Sequence, residues 1–394
     1  MKLENDLKKN LLVFFSKIKK KKLPLHEPFF FGNEKKYLNE CISKNAVASV
    51  GSFIKKFEES IKKFTGAKYC VLFCNGTSAL HIGLQTLGVK KNDEVLIPNV
   101  NYIASANATL YLNAVPHFVN IDINSLGIDT LQLKKYLKKN TTIKNNQLYN
   151  KKTKRYITAI VPLHLYGYPC QINEILKLAK VYKLKVLEDA AESFGSFFKN
   201  KHLGTFGDAG VLSFNGNKII TSGGGGALIT NNKKVANEAR KLVNVAKEKH
   251  PWKMSFSEKG YNYRMPNINA ALGYSQFQKV NKILNYKRTV FKNYKKILSK
   301  NKYFSIYSGL KDSSPNHWLI TIILKEKYIY LQKKIIKFLI NKNIEVRPVW
   351  EPMTKINYLK NYPSMMPDTS LKICKRIINL PSSAYLYKYF NFKK

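Results

Sequence analysis

Acidic residues are scarce. The 394-residue chain carries 24 Asp and Glu against 68 Lys and Arg, a formal charge of +44. Such an excess invites a nucleic-acid reading. The lysines are spread along the chain, however, and no helix-turn-helix, zinc-finger or RNP pattern occurs, so no nucleic-acid partner is expected. The abundance of Lys, Asn, Ile, Tyr and Phe is instead the signature of an AT-rich genome. A weaker use of the charge is attraction of an anionic substrate. Cysteine is sparse too: Cys41, Cys70, Cys74, Cys170 and Cys374 are odd in number and scattered. Only Cys70 and Cys74 lie close enough to share a metal, and no second pair completes a site, so no metal is expected. They read as small apolar packing residues. Long hydrophobic runs are missing. None approaches the roughly 20 residues of a membrane helix, so no membrane insertion is expected. The short patch Leu11–Phe15 lacks the small-residue cleavage site of a signal peptide, and the expected location is the cytoplasm.

What is present is a large globular chain with 44% apolar residues, long enough for two domains. Residues 1–22 are Lys-rich and partly amphipathic, a surface helix or a loose tail. An arm, 23–51, follows and contains a helical pattern over Glu34–Ser43. From Ser52 helices alternate with short apolar strands: helix Phe53–Phe64, strand Tyr69–Phe73, helix Thr77–Leu87, strand Glu94–Ile97, helix Ile103–Leu112, strand Pro116–Asn120. Strand Tyr156–Val161, helix Ile172–Val181 and strand Lys183–Leu187 continue the rhythm. Such alternation implies a mostly parallel sheet with right-handed crossovers. The polar, Asn/Lys-rich stretch Lys138–Arg155 interrupts it and reads as a surface insertion. After Met265-Pro266-Asn267 come long helices, Ala270–Leu284 and Asn285–Leu298. Strand Trp318–Ile323, helix Tyr328–Asn341 and strand Ile344–Arg347 follow. The expected domains are a large one over 23–268 and a smaller α/β one over 269–394.

The chemistry gathers where strands end. The run Ala209–Phe214 delivers Lys218 into a tight turn backed by four glycines, Gly223–Gly226. Twenty-nine residues upstream of that lysine, another apolar run ends in Asp189. A lysine that forms a Schiff base with an aldehyde, and a carboxylate that keeps a pyridine nitrogen protonated, are what pyridoxal phosphate requires. Gly76, Thr77 and Ser78 open a helix after strand Tyr69–Phe73, as a phosphate cradle or an ordinary N-cap. Tyr102 follows a strand at the same sheet edge, as an aromatic to stack on a planar ring or as a core tyrosine. Asp189 and Glu192 also have the spacing of a capping box. His164 ends a strand, beside the cofactor or as a buried structural histidine. Ser213 can reach a phosphate from the end of the lysine's strand. Asn217 precedes the lysine and is, with His164 and Arg264, a candidate substrate contact. Asn262 and Arg264 lie between the two halves, Arg264 being suited to a diphosphate or carboxylate.

At these residues the chain resembles the DegT/DnrJ/EryC1/StrS family of sugar aminotransferases, from about Pro24 to Ala384. The resemblance is carried by Asn75–His81, Asp189–Glu192, Ser213 through Lys218, and Asn262-Tyr263-Arg264. It implies a fold-type-I, pyridoxal 5′-phosphate-dependent aminotransferase, with a mostly parallel seven-stranded sheet between helices, acting as a homodimer with a shared site. By motif position, Lys218 would bear the cofactor and shuttle the proton. Asp189 would partner the pyridinium nitrogen, and Tyr102 would stack on the ring. Thr77, Ser78 and Ser213 would hold the phosphate, with Asn262 reaching in from the neighbouring subunit. Glu192 would lie near the ring hydroxyl, where many relatives carry Gln or His. The four-glycine run, Asn45–Gly51, His250-Pro251-Trp252, Gly260–Asn267 and Asn379–Ala384 resemble the bacillosamine/legionaminic-acid subgroup. That implies a nucleotide-linked 4-keto-2-acetamido-2,4,6-trideoxyhexose as acceptor and glutamate as amine donor. Dehydratases of the family carry histidine at the position of Lys218, and a non-catalytic regulator would be expected to lose Lys218 or Asp189. A basic nucleic-acid binder would lack the yellow cofactor.

Overall fold

The computed structural model describes residues 15, 18, 21–248, 250–298, 301–365 and 368–389; the expected character of residues 1–22 therefore lies almost wholly outside the described residues. Strands β1 (Tyr69–Phe73), β2 (Glu94–Pro98), β3 (Val115–Val119), β4 (Thr141–Lys144), β5 (Gln147–Asn150), β6 (Arg155–Ile160) and β7 (Lys185–Asp189) come first. Two short strands follow, β8 (Phe197–Phe198) and β9 (Lys201–His202), then β10 (Ala209–Ser213) and β11 (Gly226–Thr230). Seven of these strands form one path, β1-β11-β10-β7-β6-β2-β3. Pairs β2–β3, β2–β6, β6–β7 and β7–β10 are parallel, and β11 alone runs against both of its neighbours. The C-terminal ends of β1, β2, β6, β7 and β10 thus share one edge, where open α/β sheets bind ligands.

Alternation along the strands builds the two faces. Cys70, Leu72 and Leu212 join one core with Phe53, Phe57 and Ile61 of helix Ser52–Thr65. Their neighbours Val71, Phe73 and Val211 join the other with Leu80 and Ile82 of helix Gly76–Thr86 and Leu242 of helix Lys233–Val243. The spacing of Phe53, Phe57 and Ile61 is that of one helix face. That helix ends at Gly66 in the left-handed region, φ 78°, which glycine adopts without penalty.

The stretch 138–155, expected as a surface insertion, is regular rather than loop-like. It contains the β4–β5 hairpin, which pairs onto β6 and brings the sheet to nine strands. Its turn, Asn145-Asn146, has φ 50° and 62°, the conformation a two-residue type I′ hairpin needs and Asn tolerates. The long C-terminal helices also divide elsewhere, into Asn267–Phe277 and Val280–Leu298.

The remaining strands are β12 (Phe304–Ile306), β13 (Ser313–Ser314), β14 (Ile320–Leu324), β15 (Arg347–Pro348) and β16 (Ile377–Leu380). Apart from β13, which pairs with β8, they form a four-stranded antiparallel sheet, β12-β14-β16-β15. The arm meets this sheet region: Leu23 bridges to Ile344, and Ser382 N–H donates to the Leu25 carbonyl at 2.8 Å.

Candidate active site

The lysine turn is fixed by its own backbone. Phe214 N–H donates to the Gly225 carbonyl and Ser222 N–H to the Phe214 carbonyl, both at 2.9 Å. A Cβ on Gly226 would stand 2.6 Å from the Asn75 backbone, and one on Gly76 would stand 3.3 Å from the Ser213 side chain. Glycine at these two positions therefore lets the lysine turn and the start of helix Gly76–Thr86 pack together. Asn75 caps this helix by accepting from Ser78 N–H at 2.8 Å and from Ser78 Oγ at 3.0 Å. The first N–H groups of a helix have no intrahelical acceptor, and Gly76, which opens this helix, packs beside Ser213.

Lys218 Nζ lies 3.6 Å from Glu192 Oε1 with its side chain 14% exposed. Burial lowers its affinity for the proton. Glu192 is 4% exposed, and its Oε2 accepts from Tyr166 N–H at 2.7 Å. Burial raises the Glu192 carboxyl to about 7, against the pull of Lys218. Tyr166 is buried with φ 57°, a strained setting for a bulky residue. Its hydroxyl accepts from Asn379 Nδ2 at 2.9 Å.

Asp189 ends β7 and is 3% exposed. Its Oδ2 accepts from Ser105 Oγ at 2.7 Å and its Oδ1 from Ala191 N–H at 3.2 Å. Ser105 in turn accepts from Asn101 Nδ2 at 3.1 Å. Burial raises the Asp189 carboxyl while the Ser105 and Ala191 hydrogen bonds and Lys218 lower it. No helix follows Asp189, so neither N-cap nor capping box applies and Glu192 is free to face the lysine. Tyr102 is 55% exposed and no core residue; its ring centroid is 5.9 Å from that of Trp350.

Three sequence-predicted residues stand elsewhere. His164 is fully buried, with Nε2 2.8 Å from Glu188 Oε2 and Nδ1 accepting from Cys170 N–H at 3.3 Å. Both ring nitrogens are engaged inside the protein, so His164 fixes Glu188 and has no atom for substrate. Glu188 also takes the N–H groups of Gly204, Phe206 and Gly207. Arg264 bridges to Phe73 at the end of β1, Asn262 bridges to Asn244 just past helix Lys233–Val243, and Arg264 Nη1 donates to Asn244 Oδ1 at 3.2 Å. Arg264 lines a separate cleft of about 370 Å³ with Lys55, Glu58 and Arg240.

Sequence reading missed the aromatic wall. Trp318 Nε1 donates to the Asn217 carbonyl at 2.6 Å, and its ring centroid lies 3.9 Å from Lys218 Nζ. Trp350 is 5.7 Å and Trp318 6.3 Å from Tyr166, centroid to centroid. No spacing in the sequence links positions 102, 166, 318 and 350. Ser105 had a faint signal, a hydroxyl beside alanines on a buried helix.

These residues fit pyridoxal phosphate. An amine is present for the aldehyde, with a carboxylate at the neighbouring strand end. The backbone cradle beside Ser213 is one that a Cβ would crowd. Together, fold and site define an enzyme of the aminotransferase class. Residues 31–388 match the DegT/DnrJ/EryC1/StrS aminotransferase family, and the chain belongs to it. Aminotransferases of this family depend on pyridoxal phosphate. The chain is 36% identical over 365 residues to the GDP-perosamine synthase of Escherichia coli O157:H7, covering 92% of this chain and 93% of that one. It is 29% identical over 318 residues to a UDP-4-amino-4,6-dideoxy-N-acetyl-beta-L-altrosamine transaminase of Campylobacter jejuni, covering 80% and 81%. The structure of Helicobacter pylori PseC, an aminotransferase involved in the biosynthesis of pseudoaminic acid, superposes with TM-score 0.83 at 25% identity, covering 93% and 95%.

Proposed function

We propose that this enzyme transfers the amino group of glutamate to the C4 carbonyl of a nucleotide-linked 4-keto-6-deoxy sugar, giving the 4-amino sugar for surface-glycan synthesis. The acceptor is UDP-2-acetamido-4-keto-2,4,6-trideoxyhexose. The observation that carries the reading is Lys218 beside Glu192, with Asp189 at the end of β7, in a member of a sugar aminotransferase family. The run from Ser213 through Gly226 and the segment Gly260–Asn267 support the UDP-sugar subgroup.

Bound pyridoxal phosphate supplies an electron-accepting ring that acidifies the C–H bond beside the transferred nitrogen. Asp189, fixed by Ser105, would partner the ring nitrogen and hold charge there. Gly76, Thr77 and Ser213 would hold the phosphate, Tyr102 would cover a ring face and Glu192 would meet the ring hydroxyl, while Ser78, whose N–H and hydroxyl both go to Asn75, would fix the turn instead. The free amine of Lys218 takes the proton from the donor Cα and later delivers one to sugar C4. That base role needs an amine with a depressed proton affinity, which its burial supports. Asn262 reaches the phosphate of a second copy, which makes the working unit a homodimer with shared sites, and Arg264 meets the diphosphate or donor carboxylate. We assign residues 23–268 to a cofactor-binding domain and 269–394 to a smaller one, in a cytoplasmic enzyme.

A second acceptor, a GDP-linked 4-keto-6-deoxyhexose, is favoured by the likeness to GDP-perosamine synthases. Purified holoenzyme with glutamate is offered the UDP- and GDP-linked 4-keto sugars side by side, following 2-oxoglutarate and amino sugar. Product from the UDP sugar is expected, with none from Lys218→Ala. Product from the GDP sugar alone selects the second acceptor, and turnover by Lys218→Ala refutes the lysine's role.

A further inference from the structure

Among the described residues Lys287 is the one lysine that is fully buried, and the proton transfers above do not use it. It lies on the inward face of helix Val280–Leu298. Burial pushes its amine well below the ordinary lysine range. A buried lysine without a carboxylate is costly to keep charged. None pairs with it among the described residues, and the titratable groups facing it are the imidazoles of His26 and His317. A neutral amine carries two N–H groups, and two backbone acceptors meet them. Lys287 Nζ donates to the Trp318 carbonyl at 3.0 Å and to the Ser382 carbonyl.

Both acceptors belong to the frame around the reactive lysine. Ser382 Oγ donates to the same Trp318 carbonyl at 2.7 Å, and Ser382 N–H holds the arm at the Leu25 carbonyl. Trp318 N–H donates to Asn316 Oδ1 at 2.8 Å, and Asn316 Nδ2 donates to the Glu192 carbonyl at 2.8 Å. The Trp318 side chain, which lines a cleft with Arg347 and Trp350, then meets the lysine turn twice. Its Nε1 donates to the Asn217 carbonyl, and its ring centroid lies 3.9 Å from Lys218 Nζ. The indole that touches the reactive amine is therefore set by a backbone whose carbonyl ends on Lys287. An aromatic face beside an amine favours the protonated form, so where the indole sits bears on how readily Lys218 gives up its proton.

We propose that Lys287 is a positioning residue that anchors the Trp318 backbone, so that the indole holds Lys218 in place and sets its proton affinity. The proposal rests on the reading of Lys218 as the base, which turnover by Lys218→Ala tests separately. The full chain is loaded with pyridoxamine phosphate, which leaves Lys218 a free amine. Lys218 is then titrated by competitive acetylation with acetic anhydride, read by peptide mass spectrometry. In Lys287→Met, which fills the space without a donor, the apparent pKa of Lys218 falls by about half a unit to one and a half units, the loss of a cation–π contact. Its kcat falls at least about tenfold through misplacement of the base, with KM for both substrates within about twofold of the parent. In a Trp318→Leu background Lys287→Met moves the Lys218 titration no further, because the contact it supports is already gone. Ser382→Ala removes only the hydroxyl bond to the Trp318 carbonyl and shifts the titration the same way by less. If Lys287→Met does not fold, Ser382→Ala decides, and no shift there overturns the proposal. A parent-like Lys218 titration in folded Lys287→Met overturns it. An equal shift with and without the Trp318 ring overturns it too, since the lysine would then not act through the indole. If Lys218→Ala turns over, the base reading fails, while the titration still decides whether Lys287 anchors the indole.

Discussion

Glu192 offers a test of the site's electrostatics that needs no substrate. Its carboxyl is raised from 4.5 to about 7, with burial the main cause. The native state therefore prefers it protonated, and the unfolded chain ionises it at an ordinary pH. The stabilisation is full below pH 4.5 and disappears as the pH rises through 7. Between pH 5 and pH 8 this one group should remove about 2.5 kcal/mol of stability, taking about 1.4 kcal/mol per pH unit. Glu192→Gln keeps the size and the acceptor for Tyr166 N–H, and does not titrate. Urea unfolding of the cofactor-free protein, where Lys218 is a free amine, is followed at both pH values for parent and variant. The parent should lose about 2.5 kcal/mol more than the variant over that interval. Equal pH dependence in the two proteins would refute the account of Glu192 as a buried, proton-holding neighbour of Lys218.

Ser105→Ala removes the 2.7 Å hydrogen bond to Asp189; at about 1.5–3 kcal/mol for a bond to a charged group, turnover should fall about tenfold to a hundredfold, with a shift in the pH titration of the cofactor's absorbance. An unchanged titration would show that Ser105 does not position Asp189. Gly226→Ala forces a Cβ to 2.6 Å from the Asn75 backbone, so the phosphate cradle must move; the measurement is pyridoxal phosphate affinity, expected to fall at least about tenfold for loss of a charge-assisted phosphate contact. Parent-like affinity would mean the cradle does not hold the phosphate.

Strands and helices of the large sheet were legible because each carries its periodicity locally. Strand Tyr69–Phe73 and helix Glu34–Ser43 coincide with their expected limits. The β4–β5 hairpin was not, since its strands hold only Ile143 and Leu148 as aliphatic anchors and its composition is that of a loop. The Asn145-Asn146 pair was the available turn signal. In the site, Lys218, Glu192 and Asp189 stood out because strand ends on one sheet edge converge whatever the rest does. His164 lies four residues past the end of β6, where Glu188 of the neighbouring strand β7 captures its ring. On β7 the side chains alternate, so Glu188 faces His164 while the next residue, Asp189, meets Ser105. The wall of Trp318, Arg347 and Trp350 was invisible, because it forms only when the arm and the C-terminal sheet fold back on the lysine turn. Asn379, quoted within a motif, is a structural amide: it donates to the Tyr166 hydroxyl and accepts from Thr321 Oγ1 at 2.7 Å.

The central claim is that Lys218 is the residue that bears the cofactor. Holoenzyme reduced with borohydride and digested would be searched by mass spectrometry for the pyridoxyl-modified peptide. The account predicts a single modified lysine, Lys218, with modification abolished by prior addition of glutamate. Modification at another lysine, or none at Lys218 in protein that binds pyridoxal phosphate, would contradict it.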